Sequence, residues 1–285
     1  MGWCELDAAS RESEYSPSSA IGGDYQPFIR VYAERSRAAR ARMPNLLNLR
    51  YGKAAAARLD LFVPERAATL PPLLLFIHGG YWQELSKEES SFAAAPCVEQ
   101  GIAFAAIDYT LAPQAGVAQM VDECNQALAW LIAEAPRLGF DGQRIVVAGS
   151  SAGAHLAAML ALRQRSALKA VVLVSGIYQL EPLLGTSINT AVGLTVESAR
   201  AWSPALHELQ GFPPAIVCWG EVETAEFKRQ SGDFAELLER AGTSTQHFEV
   251  PQRNHFDVVL DLADPATQLG CAVVAMMGVS QAPRR

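Results

Sequence analysis

A serine lies between two glycines where an apolar run of the chain meets a helix-forming run. Gly149, Ser151 and Gly153 form a G-x-S-x-G pattern, with the apolar residues 144–148 before it and residues 154–163 after it. A serine on so sharp a strand-to-helix turn has a strained backbone, and glycines two positions away let strand and helix pass closely. The pattern predicts that Ser151 is the nucleophile of an acyl-transfer reaction.

A serine hydroxyl needs a positioned base, usually a histidine that a carboxylate orients. Hydrolases with this serine turn carry the three residues in the order serine, acid, histidine. His255 follows a strand pattern that ends near Val250 and a predicted loop at 251–254, so we expect it to be the base. Four other histidines are interpreted as packed or solvated: His78, His155, His207 and His247.

The orienting acid is sought after the strand that precedes the histidine-bearing one. The candidate carboxylates are Glu221, Glu223 and Glu226, with Asp257 elsewhere. We choose Glu223 because it lies three residues past Gly220, far enough into the loop to turn back over the sheet. Glu226 lies in the first turn of the next predicted helix, where its negative charge could stabilise the helix N-terminus. Glu221 stays the alternative.

Acyl transfer also needs N–H donors for the oxyanion of the tetrahedral intermediate. The segment His78-Gly79-Gly80-Tyr81-Trp82 follows a strong strand pattern, and its glycines let the backbone approach a substrate. We expect the N–H groups of Gly79 and Gly80 to form the oxyanion hole, with Ala152 as a third donor at a helix N-terminus. His78 is then expected to be structural.

Short apolar runs alternate with longer helical patterns along the chain. The strand patterns cover residues 59–63, 73–78, 102–109, 144–149, 170–175, 215–220 and 244–250. The helix patterns cover residues 26–43, 86–100, 117–134, 152–163, 225–241 and a part of 265–277. This alternation predicts an α/β fold with a mainly parallel central sheet flanked by helices, with the first two strands as an antiparallel edge.

One segment interrupts this alternation. Residues 180–212 lack clear periodicity, contain Pro182, Gly185 and Pro204, and exceed the length of a simple crossover. Long insertions of this kind between two strands often contribute to function. We expect a small cap or lid at 180–212, inserted in a single domain that spans residues 1–285.

Composition limits the classes of partner. The chain has 285 residues, of which 50% are hydrophobic, and a net charge of −7, which argues against nucleic acid or an anionic membrane as a partner. Its five cysteines are scattered without C-x-x-C spacing, so no disulfide framework or zinc site is expected. No cofactor motif is present, and the first 20 residues hold no secretory h-region, so the cytoplasm is expected.

These residues together resemble the α/β-hydrolase superfamily, and more narrowly the kynurenine formamidase (arylformamidase) group, whose His-Gly-Gly-x-Trp signature stands at residues 78–82. The resemblance covers most of the chain. It also rests on Glu14-Tyr15-Ser16-Pro17, residues 108–113, residues 175–178, Ser203-Pro204 and His255-Phe256-Asp257. It implies an α/β-hydrolase fold and cleavage of the formyl amide of an arylamine such as N-formylkynurenine, through an acyl-enzyme.

The resemblance also implies a substrate pocket. Either Tyr81 or residues of the cap are expected to crowd the acyl side. Trp82 and Tyr178 either stack on the aryl ring or serve as core aromatics. Two positions depart from the family pattern. Glu223 stands where the family usually has aspartate. Gln179 stands where the family often has an aspartate after Gly176-Ile177-Tyr178. The loss of this second negative charge bears on the choice of substrate more than on the reaction.

Two other functions remain open. The nearest is a general short-chain carboxylesterase or amidase with the same triad. A function of another class is that of a receptor that binds a ligand without turnover, but such a protein is expected to lose its nucleophile or base, and both Ser151 and His255 are present. The expected partner is a small-molecule amide or ester, and a homodimer remains an option.

Overall fold

The computed structural model describes residues 3–65 and 69–279. Within these ranges eight strands form one sheet: β1 (Asn45–Arg50), β2 (Arg58–Phe62), β3 (Leu73–Ile77), β4 (Ala103–Ile107), β5 (Ile145–Ser150), β6 (Ala170–Val174), β7 (Ala215–Val222) and β8 (Thr245–Asn254). Their order across the sheet is β1-β2-β4-β3-β5-β6-β7-β8. The pairs β1–β2 and β2–β4 are antiparallel, and all other neighbours are parallel.

Ten helices accompany the sheet in the described residues. They are α1 (Ala8–Glu14), α2 (Gln26–Arg42), α3 (Lys87–Ser90), α4 (Ala94–Glu99), α5 (Val117–Leu138), α6 (Ala152–Arg163), α7 (Asn189–Val192), α8 (Val196–Ala201), α9 (Ala225–Arg240) and α10 (Gln268–Met277). Helices α5, α6 and α9 pack in one apolar core, whereas α2, α4 and α10 pack in the other. No helix in this part of the chain is long and apolar enough to cross a membrane.

The central strands explain why this sheet must lie between two helical layers. Every residue of β3, β4, β5 and β6 is buried, and their sequences are continuous apolar runs rather than alternating ones. Such runs are typical of parallel strands that are covered on both faces. The prediction of an α/β fold with a mainly parallel sheet is therefore confirmed.

The prediction that the strand patterns at 59–63 and 73–78 form the antiparallel edge of the sheet is wrong. The sheet does have an antiparallel edge. It consists of β1 and β2, whereas the strand at Leu73–Ile77 lies between β4 and β5 inside the parallel part. Strand β1 was missed because it is a mostly exposed edge strand with an irregular register between Leu46 and Leu49. A half-exposed strand of this kind carries only a weak apolar pattern.

Two element boundaries also differ from the prediction. The pattern at 86–100 forms two short helices, α3 and α4, instead of one kinked helix. Strand β8 continues to Asn254, so residues 251–254 are strand and not loop. Pro251 is tolerated there because β8 is an edge strand, where a missing N–H leaves no partner unpaired.

The excursion at 180–212 contains only short helical segments, α7 and α8 among them. Leu180, Leu183 and Ala199 anchor it in the core that also holds α5, α6 and α9. Its role as a cap stays a prediction, as does the single domain.

A close backbone approach sets the position of α6. A Cβ atom on Gly153 would lie 2.1 Å from the carbonyl oxygen of Ile77 and 2.5 Å from that of His78. Backbone atoms of a buried strand cannot move aside as a flexible side chain could. Helix α6 therefore lies against the end of β3 only if residue 153 has no side chain.

We expect Gly153→Ala to lower the free energy of unfolding by about 3 kcal/mol or more, because the new methyl overlaps strand backbone. Gly232→Ala is the matched control. It lies inside α9, and its Cβ would meet only the Trp219 ring at 4.0 Å, so it should stabilise by about 0.5–1 kcal/mol. Urea unfolding measures both. Equal stability of the two variants would contradict the close approach.

Candidate active site

Ser151 occupies the turn between β5 and α6 in a strained conformation. Its φ and ψ are +56° and −122°, and its N–H donates to the Val174 carbonyl at 2.8 Å. A Cβ on Gly149 would lie 2.2 Å from the Gly153 carbonyl oxygen. The two glycines therefore permit the turn, and the buried strands on either side hold the serine in it.

His255 follows the last residue of β8 and is 5% exposed. Its Nδ1 lies 2.8 Å from Oε2 of Glu223. A neutral imidazole that faces a carboxylate through Nδ1 carries its proton there and donates it to the oxygen. Nε2 is thereby left as the basic nitrogen, which is the state that a general base requires.

Glu223 is held by more than the histidine. Its Oε1 accepts hydrogen bonds from the backbone N–H of Gly220 and from the hydroxyl of Ser175, both at 2.6 Å. Ser175, which is fully buried, has a φ of +50° and follows β6 directly. These two donors orient the carboxylate toward His255. The sequence reasoning missed the role of Ser175, although it quoted this serine within residues 175–178.

The other candidate acids are engaged elsewhere. Glu221 accepts from the backbone N–H of Gln252, and Asp257 accepts from that of Asn254. Glu226 accepts from the Tyr15 hydroxyl and pairs with an arginine on its own helix. Among the carboxylates in the described ranges, only Glu223 contacts the His255 ring.

The sheet explains why Glu223 and His255 meet. The β7–β8 ladder shifts register between Gly220 and Val222, and a Cβ on Gly220 would lie 2.4 Å from the Arg253 carbonyl oxygen. The two chains are therefore in backbone contact just before each leaves the sheet. An acid and a base that follow this contact are placed side by side.

Ser151 and His255 line the same cavity, which has a volume of about 300 Å³. No direct hydrogen bond joins Ser151 to the His255 ring among the contacts of the described residues. In hydrolases this contact is often long until substrate binds. The arrangement can therefore deliver a nucleophile and a base to one carbonyl group.

Two of the expected oxyanion donors, Gly79 and Ala152, lie next to the serine. A Cβ on Gly79 would lie 3.2 Å from the Ser151 Cβ and 2.8 Å from the Ser150 carbonyl oxygen, so this loop runs directly beside the nucleophile. Gly80 has a φ of +90°, which glycine adopts without strain. The N–H groups of Gly79, Gly80 and Ala152 donate to no acceptor within the part of the chain that the structure describes. They are free to bind an oxyanion.

Two histidines are buried as neutral rings. His78 contacts the Gly79 carbonyl through Nδ1 at 2.9 Å and stacks on Tyr109 with ring centroids 4.4 Å apart. His155 contacts the Trp202 carbonyl through Nε2 at 2.7 Å. Burial lowers the pKa of each ring to about 4, since a charged imidazole would lose its hydration. His207 and His247, in contrast, are exposed.

The structure corrects the predicted aryl-binding residues. Tyr81 lines the cavity, but Trp82 and Tyr178 do not. Trp82 is fully buried and packs edge-on against His155, and Tyr178 stacks on Phe234 at 4.1 Å between centroids. Both rings are enclosed by core side chains, so neither presents a face to a substrate.

The N-terminal segment forms a wall of the cavity that the sequence reasoning missed. The lining residues from this segment are Glu12, Tyr15, Ser16, Pro17, Ser18, Tyr25, Ile29 and Tyr32. The expected cap contributes only Ser187 and Ile188. The motif at residues 14–17 was quoted as part of the family resemblance, but one-dimensional spacing gave no reason to place it over the serine.

The chain is similar to known proteins in sequence and in fold. The BD-FAE family model matches residues 59–178. The chain is 32% identical to a kynurenine formamidase of Salmo salar, over 98% of this chain and 99% of the relative. A crystal structure from Silicibacter sp. TM1040 is 29% identical and superposes with a TM-score of 0.82, covering 94% of this chain and 98% of that one. The thermophilic carboxylesterase EstE1 from a metagenomic library has the same fold, at 24% identity and a TM-score of 0.71, covering 90% of this chain and 98% of that one.

We expect Ser175→Ala to lower kcat about tenfold while KM stays within about twofold, because the Glu223 carboxylate keeps one of its two orienting donors. Ser231→Ala is the matched control, since Ser231 is equally buried and its hydroxyl has no partner among the described residues. Steady-state kinetics separates kcat from KM. Unchanged kcat in Ser175→Ala would remove this serine from the positioning of the acid.

The neutral state of His155 predicts acid destabilisation. Its folded-state pKa of about 4 lies below the ordinary value of 6.5, so its stabilisation is complete above pH 6.5 and is lost as the pH falls toward 4. The loss should reach about 3 kcal/mol. His155→Gln should therefore lose about 3 kcal/mol less than wild type between pH 7 and pH 4 in denaturant unfolding. Parallel pH profiles for the two proteins would contradict this.

Proposed function

The chain belongs to the kynurenine formamidase family of α/β-hydrolases, and from this premise we propose that it hydrolyses the formyl amide of an arylamine such as N-formylkynurenine. The observation that carries the proposal is the 2.8 Å contact of His255 with Glu223 at the cavity that also contains Ser151. This is the arrangement of a serine hydrolase. The product pair is formate and a free arylamine.

In the proposed mechanism Ser151 attacks the formyl carbon while Nε2 of His255 takes its proton. The carbonyl oxygen becomes an oxyanion, and the N–H groups of Gly79, Gly80 and Ala152 stabilise it. Collapse of this intermediate breaks the C–N bond, and His255 returns the proton to the departing nitrogen. Throughout, the Glu223 carboxylate stabilises the imidazolium form of the ring.

Deacylation repeats these roles with water as nucleophile. His255 takes a proton from a water molecule, and the resulting hydroxide attacks the formyl ester on Ser151. The second tetrahedral intermediate uses the same N–H donors. Its collapse breaks the ester bond, the proton on His255 returns to the serine oxygen, and formate leaves.

The acyl side of the site is proposed to be narrow. Tyr81 lines the cavity, and its hydroxyl donates to the backbone carbonyl of Tyr15, which anchors the ring. A formyl group has only hydrogen beyond its carbonyl carbon. An anchored ring beside Ser151 would therefore tolerate formyl better than longer acyl groups.

A short-chain carboxylesterase is the second candidate function, because the carboxylesterase fold is shared and the same three residues hydrolyse esters. A cytoplasmic location and a homodimer are also part of the proposal. Neither changes the chemistry at Ser151.

We expect kcat/KM for N-formyl-L-kynurenine to exceed that for p-nitrophenyl acetate, measured on purified protein. Ser151→Ala should abolish both activities, since the variant lacks the hydroxyl that forms the acyl-enzyme in the proposed mechanism. Glu223→Gln should lower kcat by about 10³–10⁴ because the imidazolium loses its counter-charge and orientation. Glu221→Gln is the matched control and should retain activity, because glutamine keeps an oxygen acceptor for the Gln252 N–H, and Glu221 makes no contact with the His255 ring within the described ranges. Preference for the ester would favour the carboxylesterase, and activity in Ser151→Ala would contradict the triad.

A further inference from the structure

The floor of the active-site cavity is aromatic and buried. Tyr32, Phe76 and Phe92 line it, and Phe92 packs against both of the others, with ring centroids 5.1 Å from Tyr32 and 5.5 Å from Phe76. Their exposed fractions are 7%, 2% and 5%, and Val259 beside them is 1% exposed. These side chains present ring faces, ring edges and a branched alkyl group. They form a surface that suits an aryl ring.

The outer part of the same cavity carries negative charge. Glu12 and Glu84 line it and are more exposed than the floor. Glu12 accepts from the backbone N–H of Ser187 at 2.8 Å, and Glu84 accepts from the Tyr25 hydroxyl at 3.1 Å. These uncharged donors fix both carboxylates in place without neutralising them. Neither glutamate forms an ion pair with lysine or arginine within the described ranges.

The cavity wall offers no opposite charge. None of its described lining residues is a lysine or an arginine, and its only ring nitrogens belong to His78 and His255. Burial lowers the pKa of His78 to about 4, so that ring is neutral at neutral pH. The chain as a whole carries a net charge of −7. A ligand that enters therefore meets a negative potential from the outer wall.

From these observations we infer that the site selects arylamine amides whose far end is an ammonium group, with Glu12 and Glu84 as the specificity-determining residues. The inference rests on the proposed function, which supplies the formamide at Ser151. With the aryl ring on the aromatic floor, a substituent of a few atoms extends toward the two carboxylates. An ammonium group gains charge-assisted hydrogen bonds there, whereas a carboxylate meets like charge and no cationic partner. In an amino-acid substrate, the ammonium group provides the recognition and the carboxylate does not.

The test uses three formamides that differ only at their far end. Each is a 2-formamidophenyl ketone with the chain CO-CH₂-CH₂-X, where X is ammonium, methyl or carboxylate. Binding to the Ser151→Ala protein is measured by isothermal titration calorimetry, so that turnover plays no part. We expect affinity to fall in the order ammonium, methyl, carboxylate, with about tenfold between the first and the last. This ratio should shrink as salt is raised from 20 mM to 500 mM, since the groups near the mouth are screened.

Substitutions assign the effect to the two glutamates. In the Ser151→Ala background, Glu12→Gln and Glu84→Gln should each lower the ammonium-to-carboxylate affinity ratio about threefold, because glutamine keeps the hydrogen-bond acceptor and loses the charge. Glu236→Gln is the matched control. Glu236 is an exposed residue of α9 outside the cavity, so the ratio should not change.

The outcomes separate the two proposals. Equal binding of the three compounds, or tighter binding of the carboxylate, overturns the charge selection even if wild-type enzyme hydrolyses all three. The expected binding order without Ser151-dependent hydrolysis of any of them overturns the formamidase function instead. An unchanged ratio in both Glu→Gln variants would overturn the assignment to Glu12 and Glu84.

Discussion

The contact between Glu223 and His255 depends on β7 and β8 remaining paired up to the end of the sheet. Gly220 lets the two backbones touch, and the register shift that follows carries Glu223 out of the ladder. The last residues of β8 are held by side-chain acceptors on backbone N–H groups, with Glu221 on Gln252 and Asp257 on Asn254. The carboxylates that do not orient the base therefore shape the turn that presents it.

Backbone strain is concentrated just after the carboxyl ends of the central strands. Positive φ angles at residues with side chains occur at Tyr81, Trp82, Ser151 and Ser175, which follow β3, β5 and β6. Each such residue costs about 1–3 kcal/mol, and they persist only where the surroundings leave no alternative. Here the buried strands and the tightly packed α6 supply that constraint. Strain and rigidity together hold Ser151, the loop after β3 and Ser175 in fixed relation.

The N-terminal segment couples the cavity wall to the acid-bearing loop. The Thr224 hydroxyl donates to the Glu14 carbonyl at 2.6 Å, and the Tyr15 hydroxyl donates to Glu226 at 2.7 Å. From the other side, Tyr32 donates to the carbonyl of Phe256, the residue after the base. The wall that a substrate would touch is thus bonded to the chain on either side of Glu223 and His255.

Local patterns in the chain were sufficient for the parallel sheet and the strand-to-helix turn at Ser151, because both rest on short-range spacing of glycines and apolar residues. His255 was chosen from the order of residues along the chain, and its role as the base stays a prediction. Spacing could not decide between Glu221 and Glu223, since the two are only two residues apart. Glu221 lies in β7, whereas Glu223 follows it, and the contact with the imidazole is made by Glu223. The family resemblance left open whether Trp82 and Tyr178 stack on a substrate or belong to the core, and long-range packing encloses both rings. The walls of the cavity come from segments more than 200 residues apart, such as Glu12 and Val259. Their meeting depends on how helices and loops pack around the finished sheet, which only the tertiary structure decides.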